Sequence, residues 1–188
     1  GSEMCIRDSS RMMAEAVGKC KAAQKKPVLA LPHILRGKDS QKGRQLMENW
    51  LAAGADTFLV RSLEQLGLLK ELSRSAVIRV ITDANLYTWN TRAEQFLLKT
   101  TGTQKNLRII RTTMPLELTA QELAQTKNAV LPRELIVYTH LPLMVSEQCV
   151  KKTLGKCDGA NGRMTMTGYR QQYQVQSVCA VSYTHLTL

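Results

Sequence analysis

The sequence has no long apolar run and no disulfide-like arrangement of cysteines. No stretch of its 188 residues approaches the roughly 18 consecutive apolar residues that a membrane-spanning helix requires. The N-terminus also lacks the apolar core of a secretory signal peptide. The five cysteines are odd in number and widely scattered, unlike a disulfide framework. These absences predict a cytoplasmic protein without a membrane segment, in a reducing compartment where paired cysteines more often bind metals or carry redox chemistry.

Acidic residues are scarce relative to basic ones. The chain has 26 Lys and Arg against 15 Asp and Glu, which gives a formal net charge of +11. Such an excess favours nucleic acid or another polyanion as a partner. The basic residues are dispersed rather than gathered in one block, so an ordinary basic enzyme surface is the alternative interpretation.

Two hydrolase signatures are absent as well. The sequence contains no HExxH motif, which excludes the zincin arrangement of two histidines and a glutamate on one helix. It contains no GxSxG motif, the strained turn that exposes a nucleophilic serine. A hydrolase mechanism that uses two carboxylates brought together only by folding is still possible, because the sequence does not show which residues are close in space.

The two ends differ in character from the rest of the chain. Residues 1–9, GSEMCIRDS, and residues 181–188, VSYTHLTL, resemble translated sequencing-adapter strings. We therefore expect both ends to be artefacts and the natural protein to extend beyond them.

Between these ends, short apolar runs alternate with helical patterns. Runs that begin at Lys26, Asp56, Ala76, Leu107 and Glu134 predict five strands, and the segments between them predict four helices. Such alternation is typical of βαβ units and a parallel sheet. The pattern leaves open whether the sheet is open or barrel-shaped. A complete eight-stranded barrel needs about 250 residues, so this chain could hold only part of one.

The periodic pattern ends after Met144, and three of the five cysteines follow: Cys149, Cys157 and Cys179. We expect this stretch to be an irregular element that a ligand holds in shape. The spacing of Cys149 and Cys157 is neither a zinc-finger nor a CxxC spacing, so spacing alone also allows two unrelated thiols. The three lysines between them would lower the thiol pKa values, or form a solvated basic face.

Several segments resemble peptidase family U32, the collagenase-like peptidases. The most specific is ELIVYTHLPLMVSEQCVKKTLGKCDG, followed by GYRQQYQV and Cys179; LALPHILRG, DANLYTWNTRA and MPLELTAQEL match more weakly. The resemblance implies a TIM-like barrel. Residues 10–146 would then be the C-terminal part of that barrel, with about five parallel strands, and residues 147–180 a Cys-rich, cluster-binding segment.

The resemblance also implies chemistry. Branches of the family look like iron–sulfur proteins that hydroxylate RNA bases or a quinone precursor without molecular oxygen, whereas the family name implies peptide hydrolysis. Cys149, Cys157 and Cys179 match three cluster cysteines, and the fourth would lie about three residues later, where Ser182 stands. A 4Fe–4S cluster takes four thiolates, and zinc is the alternative metal. With one thiolate missing, we expect this chain to bind a cluster poorly and to be inactive by itself.

Catalytic candidates follow from the barrel topology, because functional groups gather at the carboxyl ends of parallel strands. Glu117 and Asn90 match the acidic residue and the loop asparagine of the family, and His33 is the remaining histidine that follows a predicted strand. Each has a structural alternative: a carboxylate that accepts backbone N–H groups, an amide that ties a loop, and a packed imidazole. Tyr138 stands where many members have histidine.

We therefore predict that Glu117, Asn90 and His33 are catalytic, and that Cys149, Cys157 and Cys179 bind the cluster. The predicted function is hydroxylation of RNA. A peptide hydrolase and a non-catalytic fragment are the alternatives. Other residues that follow the predicted strands are Arg36, Arg61, Asp83, Asn85, Arg111, Thr113 and His140.

Overall fold

The computed structural model describes residues 9–35, 37–125, 129–139, 142–146, 148–159, 162–178 and 183–187. The helices in these ranges are α1 Ser9–Ala22, α2 Lys38–Ala52, α3 Leu63–Leu72, α4 Thr91–Thr101, α5 Ala120–Gln125 and α6 Val150–Thr153. The strands are β1 Leu29–Ala30, β2 Thr57–Val60, β3 Ile78–Thr82, β4 Leu107–Thr113, β5 Arg133–Glu134, β6 Pro142–Ser146, β7 Gly162–Gly168, β8 Gln171–Val178 and β9 Tyr183–Thr187. A short 3-10 turn, Ala84–Leu86, follows β3.

The first five strands form one parallel sheet in the order β1-β2-β3-β4-β5. Phe58 of β2 pairs with Leu29 on one side and Val80 on the other, and Val80 pairs with Ile109. Each strand therefore lies beside the strand that precedes it in the sequence. This order does not reverse, as it does in a doubly wound open sheet, and it is the order of a barrel wall. The predicted α/β fold is confirmed and is consistent with part of a TIM-like barrel.

The core lies on the face of this sheet that the helices cover. Side chains alternate between the two faces of a strand, and residues such as Phe58, Val60, Ile78 and Val80 are fully buried. They belong to one hydrophobic cluster with residues of α1, α2, α3 and α4. Fully burying a large aliphatic or aromatic side chain stabilises the fold by about 1.5–3 kcal/mol. Trp50 on α2 also donates its indole N–H to the carbonyl of Thr57, at 3.2 Å.

Two local signals in the sequence fix helix ends. Gly54 has φ of 82°, a left-handed conformation that glycine adopts at low cost, and its N–H donates to the carbonyl of Leu51 at 2.9 Å, which ends α2. Thr119 and Glu122 form a capping box at α5. The Glu122 carboxylate accepts from the backbone N–H of Thr119, and the Thr119 hydroxyl accepts from the N–H of Glu122.

The last predicted strand of the barrel is shorter than expected. The apolar run from Glu134 predicts a long strand, but β5 ends at Glu134 and pairs with β4 at two positions. Val137 and Tyr138 are then 92% and 89% exposed. In the described part of the chain β5 is an edge strand. Without a strand on its far side, an apolar run gains little from extended pairing.

The segment after Met144 contains regular strands that the sequence analysis did not predict. Strands β6, β9, β8 and β7 form an antiparallel sheet in that order. Met164 pairs with Val175, and Met166 pairs with Tyr173, so apolar side chains meet across β7 and β8. Irregular backbone in the described part of this segment is confined mainly to 148–159, where α6 spans a single turn. That stretch carries Cys149 and Cys157.

Candidate active site

A cleft of about 570 Å³ lies at the carboxyl ends of β1, β2 and β3. Three loops, each directly after one of these strands, and the first turns of α4 form its walls. Ligand sites in parallel α/β folds lie at this end of the sheet. The lining residues are His33, Ile34, Leu35, Arg61, Ser62, Leu63, Glu64, Asn85, Leu86, Tyr87, Ala93, Phe96 and Leu97.

Arg61 links the three loops beneath the cleft. Its Nε donates to Asp83 Oδ2 at 2.8 Å, and one terminal nitrogen donates to the carbonyl of Leu31 at 3.1 Å. The side chains of Arg61 and Asp83 are each only 13% exposed, so water screens this pair far less than a surface pair. The Asp83 carboxylate also accepts from the N–H of Ala84 at 2.7 Å. Arg61 therefore acts as a positioning residue for the cleft.

Gln65 completes this polar support. Its side chain is fully buried, accepts from the N–H of Arg61 at 2.8 Å, and donates to the carbonyl of Pro32. Ser62 caps α3 by accepting from the N–H of Gln65 at 3.3 Å. The sequence analysis missed Gln65, although the Ser62-x-x-Gln65 spacing is a capping-box signature that could have drawn attention to it.

The imidazole of His33 lies in the cleft wall, paired with Asn85. Asn85 Nδ2 lies 3.3 Å from His33 Nδ1. With the Asn85 amide as donor, Nδ1 is the acceptor, and the neutral imidazole then carries its proton on Nε2. The structure thus places one of the three predicted catalytic residues in the cleft, beside a second polar side chain from the loop after β3.

The other two predicted catalytic residues lie outside the set that lines this cleft. The Asn90 side chain accepts from the N–H of Ala93 at 3.0 Å and so caps α4. Glu117 lies exposed in the turn between β4 and α5, without a hydrogen bond or ion pair to any other residue in the described ranges. The cap gives Asn90 a structural role, and catalytic roles for both residues stay predictions.

The carboxyl end of β4 holds a separate polar group. Arg111 pairs with Glu134 at 2.9 Å, and the Thr113 hydroxyl donates to the same carboxylate at 2.8 Å. On the same strand, the hydroxyl of Thr112 lies 2.6 Å from that of Thr88 and 2.9 Å from that of Thr82. These three threonines are buried, so they link β3, β4 and the loop before α4 through one hydroxyl chain.

Glu94 on α4 is fully buried and holds the segment that leads into β5. One carboxylate oxygen accepts from Arg133 Nε at 2.9 Å and lies 2.8 Å from a terminal nitrogen of the same guanidinium. The other accepts from the N–H of Val130 at 3.0 Å. The helical spacing of Glu94, Leu97 and Thr101, which are all buried, places the carboxylate on the inner face of α4. That spacing could have identified Glu94 from the sequence.

The described cysteines of the C-terminal segment, Cys149 and Cys157, form no disulfide. Cys149 is partly buried at the start of α6, where its carbonyl accepts from the N–H of Thr153 at 3.0 Å, and Cys157 is exposed. Cys20 on α1 is also a free, partly exposed thiol. Cys179 lies outside the described residues, as do Arg36 and His140.

Lys151 ties the cysteine loop to β7. Its ammonium lies 3.0 and 3.2 Å from the two carboxylate oxygens of Asp158, and its side chain is only 13% exposed. A Cβ at Gly162 would lie 2.6 Å from that ammonium, so the lysine packs directly over the first residue of β7. Gly162 in turn pairs with Ser177 of β8. The loop with Cys149 and Cys157 is thereby anchored beside the end of β8, and the sequence reaches Cys179 two residues after Ser177.

Two further observations bear on binding. Within the described ranges, no three His, Cys, Asp or Glu side chains come close enough together to hold a metal ion. Cys149 and Cys157 lie within those ranges, whereas Cys179 lies outside them. The helices they contain all fall short of the length and hydrophobicity that crossing a bilayer requires.

The parallel sheet in sequential order, with its cleft at the carboxyl ends of the strands, defines an α/β protein consistent with part of a TIM-like barrel. The family model for peptidase family U32 matches residues 8–184, nearly the whole chain. The chain therefore belongs to peptidase family U32. No curated protein matches it, and no solved structure matches it either.

Proposed function

We propose that this U32 chain binds an iron–sulfur cluster through Cys149, Cys157 and Cys179 and takes part in the hydroxylation of RNA. The observation that carries the proposal is the placement of the two described thiols. Both lie on one short loop, neither is in a disulfide, and the largely covered Lys151 holds that loop beside the strand that leads to Cys179.

The donor chemistry suits such a cluster. Thiolates are the usual ligands of iron–sulfur clusters. Lys152 and Lys156 are exposed on the same loop, where they would offset the negative charge of thiolates. A bound cluster would supply one-electron transfer, which a protein side chain alone does not provide.

The charge of this part of the chain supports RNA as the substrate. From residue 148 to residue 178 there are five basic residues and a single acidic one, Asp158. That acidic residue is engaged with Lys151. Neutralisation of phosphates by Lys and Arg dominates the affinity of proteins for nucleic acids, so this segment is suited to the backbone of RNA.

The proposal is tested by anaerobic reconstitution of the full chain with ferrous iron and sulfide. Ser182→Cys restores a cysteine where the family has its fourth, and we expect it to raise the iron and acid-labile sulfide content and the visible absorbance. Cys149→Ala and Cys157→Ala in that background should abolish both signals. Cys20→Ala is the matched control, because it removes a thiol on α1, and it should leave both signals unchanged.

Three results would contradict the proposal. The first is iron content that does not respond to Cys149→Ala or Cys157→Ala, which indicates adventitious metal. The second is tight zinc without sulfide, which identifies a zinc–thiolate site. The third is cleavage of gelatin by a purified chain in which Cys149 and Cys157 are both replaced by alanine, because that activity would fit the family name and need no cluster.

A further inference from the structure

We propose that the cleft at the carboxyl ends of β1–β3 accepts an unstacked base of single-stranded RNA, with the rings of Tyr87 and Phe96 as its stacking surfaces. This inference rests on the proposed function and names Tyr87 and Phe96, which lie outside the predicted catalytic set, as substrate-contacting side chains.

The cleft has an exposed apolar wall. Leu63, Tyr87 and Phe96 line it and are 55%, 57% and 59% exposed. Scattered exposed apolar residues are ordinary on a protein surface. Three large ones on the same cleft, two of them aromatic, indicate a binding surface for a ligand with an apolar face.

The backbone at Tyr87 strengthens this argument. Its φ and ψ are both 50°, the left-handed conformation that glycine and asparagine tolerate and bulky residues rarely adopt. The Tyr87 hydroxyl has no hydrogen-bond partner among the described residues, and the ring is mostly exposed. The fold therefore gains little from a tyrosine in a conformation that disfavours it. Backbone strain of this kind concentrates at functional sites, and a ring presented to a ligand accounts for its presence.

The cleft also offers hydrogen-bonding groups for the edge of a base. The Asn85 carboxamide pairs with His33 through its nitrogen, and its oxygen accepts no hydrogen bond from the described residues. An amide and an imidazole provide both donors and acceptors, which suits the mixed edge of a nucleobase. Arg61 and Asp83 neutralise each other beneath the cleft, so the cleft does not require a charged ligand.

A partner for the RNA backbone lies at the rim. Arg92 is exposed on α4, one turn before Phe96, and residues four apart on a helix lie on the same face. Within the described ranges Arg92 forms no ion pair. Its guanidinium is therefore available to a phosphate beside a base that contacts Phe96. Aromatic stacking next to a basic side chain is the usual arrangement for single-stranded nucleic acid.

RNA fits this cleft better than a peptide does for two reasons. The chain carries a net charge of +11, which attracts a polyanion. The exposed rings also provide flat surfaces, and stacking on aromatic rings accepts any base. A peptide bound through an aromatic side chain is the competing occupant, and the test below separates the two.

The experiment measures binding of the full chain to a fluorescein-labelled, single-stranded RNA of roughly 12 nucleotides by fluorescence anisotropy. Tyr87→Ala and Phe96→Ala should each weaken binding by about 5- to 150-fold, the loss that corresponds to one stacked base. Tyr87→Phe keeps the ring and should bind like the unchanged protein. Val77→Ala is the control, because it removes a 58% exposed apolar side chain just before β3, at the end of the parallel sheet opposite the cleft.

A glycine variant separates the role of the ring from that of the fold. Tyr87→Gly removes the ring and also relieves the left-handed backbone, so RNA binding should fall as in Tyr87→Ala while the melting temperature stays at or above that of Tyr87→Ala. If RNA affinity and the melting temperature of Tyr87→Gly both fall below those of the unchanged protein, the ring packs the fold and the proposal is wrong.

The remaining outcomes are decisive in the same way. Unchanged RNA affinity in both alanine variants overturns the proposal, and so does a gelatin-derived peptide that binds tightly and depends on Tyr87 when the RNA does not bind. The iron and sulfide content of the Ser182→Cys chain, measured in parallel, distinguishes this failure from that of the proposed function. If a cluster forms on the cysteines but RNA affinity does not depend on Tyr87, only the inference about the cleft is wrong. If RNA binding depends on Tyr87 but no cluster forms, only the proposed cluster is wrong.

Discussion

The parallel sheet and the antiparallel sheet of this chain differ in how much apolar surface they bury. Among the described residues, the buried hydrophobic side chains all precede residue 132, with the exception of Val175. The parallel sheet therefore has a core that can stabilise it without a ligand. The antiparallel sheet relies on strand pairing, on the pairing of Met164, Met166, Tyr173 and Val175 across β7 and β8, and on a lysine contact.

The contrast agrees with the two proposed sites, an RNA-binding cleft on the parallel sheet and a cluster in the cysteine segment. A rigid parallel sheet positions a cleft at the carboxyl ends of its strands, because a packed core holds loops in fixed places. A segment with little core of its own gains order when a ligand binds, and the binding free energy then adds to its stability. The cysteines predicted to bind the cluster belong to the second region, where a cluster would have the larger structural effect.

Removal of a central core ring should have the largest effect. Phe58→Ala empties a fully buried position on β2 and should lower the free energy of unfolding by about 3–5 kcal/mol, because the lost burial and the cavity add. Phe96→Ala makes the same change at a 59% exposed site and should cost less than about 1 kcal/mol. Urea denaturation followed by circular dichroism measures both. Equal losses would contradict the assignment of the core to this face.

The buried carboxylate on α4 should come next. Glu94→Gln keeps the shape of the side chain but replaces one carboxylate oxygen, which accepts from Arg133 or Val130, with an amide NH2 group that cannot accept. Leaving one buried donor unsatisfied costs about 1–3 kcal/mol. Glu48→Gln is the control, since Glu48 pairs with Arg44 one turn away on an exposed helix face, and such pairs contribute about 0.2–1 kcal/mol. The contrast breaks down if Glu48→Gln destabilises the chain more than Glu94→Gln.

A third test concerns the lysine contact of the antiparallel region. Lys151→Met keeps the side-chain stem over Gly162 and removes the charge that pairs with Asp158. We expect faster amide hydrogen exchange at Thr153 to Lys156 and no change in β1–β4. Lys152→Met, on an exposed neighbouring lysine, should leave the exchange unchanged. Identical exchange in the two variants would mean that Lys151 does not hold the loop.

The smallest expected effect is a pH dependence at α5. Hydrogen bonds from the backbone N–H and hydroxyl of Thr119 lower the pKa of Glu122 below its ordinary value of 4.5. A lowered carboxyl pKa contributes stability above the ordinary value, and that contribution is lost as the pH falls through the lowered pKa. Thr119→Ala should raise the pKa of Glu122 towards its ordinary value, as NMR titration would show. An unchanged titration curve would rule out the Thr119 hydroxyl as a cause of the lowered pKa, because the backbone N–H of residue 119 is still present in the variant.

The sequence predicted the parallel sheet well because its strands are continuous apolar runs that end at helix caps. It also placed His33, Arg61, Asp83 and Asn85 after strands, and strand ends gather at one edge of a parallel sheet. Tyr87 could not be identified in this way, because a left-handed backbone at a non-glycine residue leaves no pattern in the sequence. The pairing of β6 with β9 is also hard to predict, because it joins partners far apart in the chain.

The parallel region could also be predicted more fully than the cysteine region for a physical reason. Elements with one buried face show a hydrophobic period of two residues in strands or 3.6 residues in helices. Strands β7 and β8 bury too few side chains to show such a period clearly. Conversely, the exposed Val137 and Tyr138 belong to an apolar run that predicted a strand. An apolar run predicts burial only where the fold supplies a partner.

Hydrogen exchange of the Ser182→Cys chain before and after anaerobic reconstitution tests the contrast between the two regions most directly. Slower amide exchange in Gln148–Gly159 and in β8, with unchanged exchange in β1–β4, is the predicted result. Exchange that is unchanged in the cysteine loop despite bound iron, or slowed equally in both sheets, would contradict a cluster held by Cys149 and Cys157.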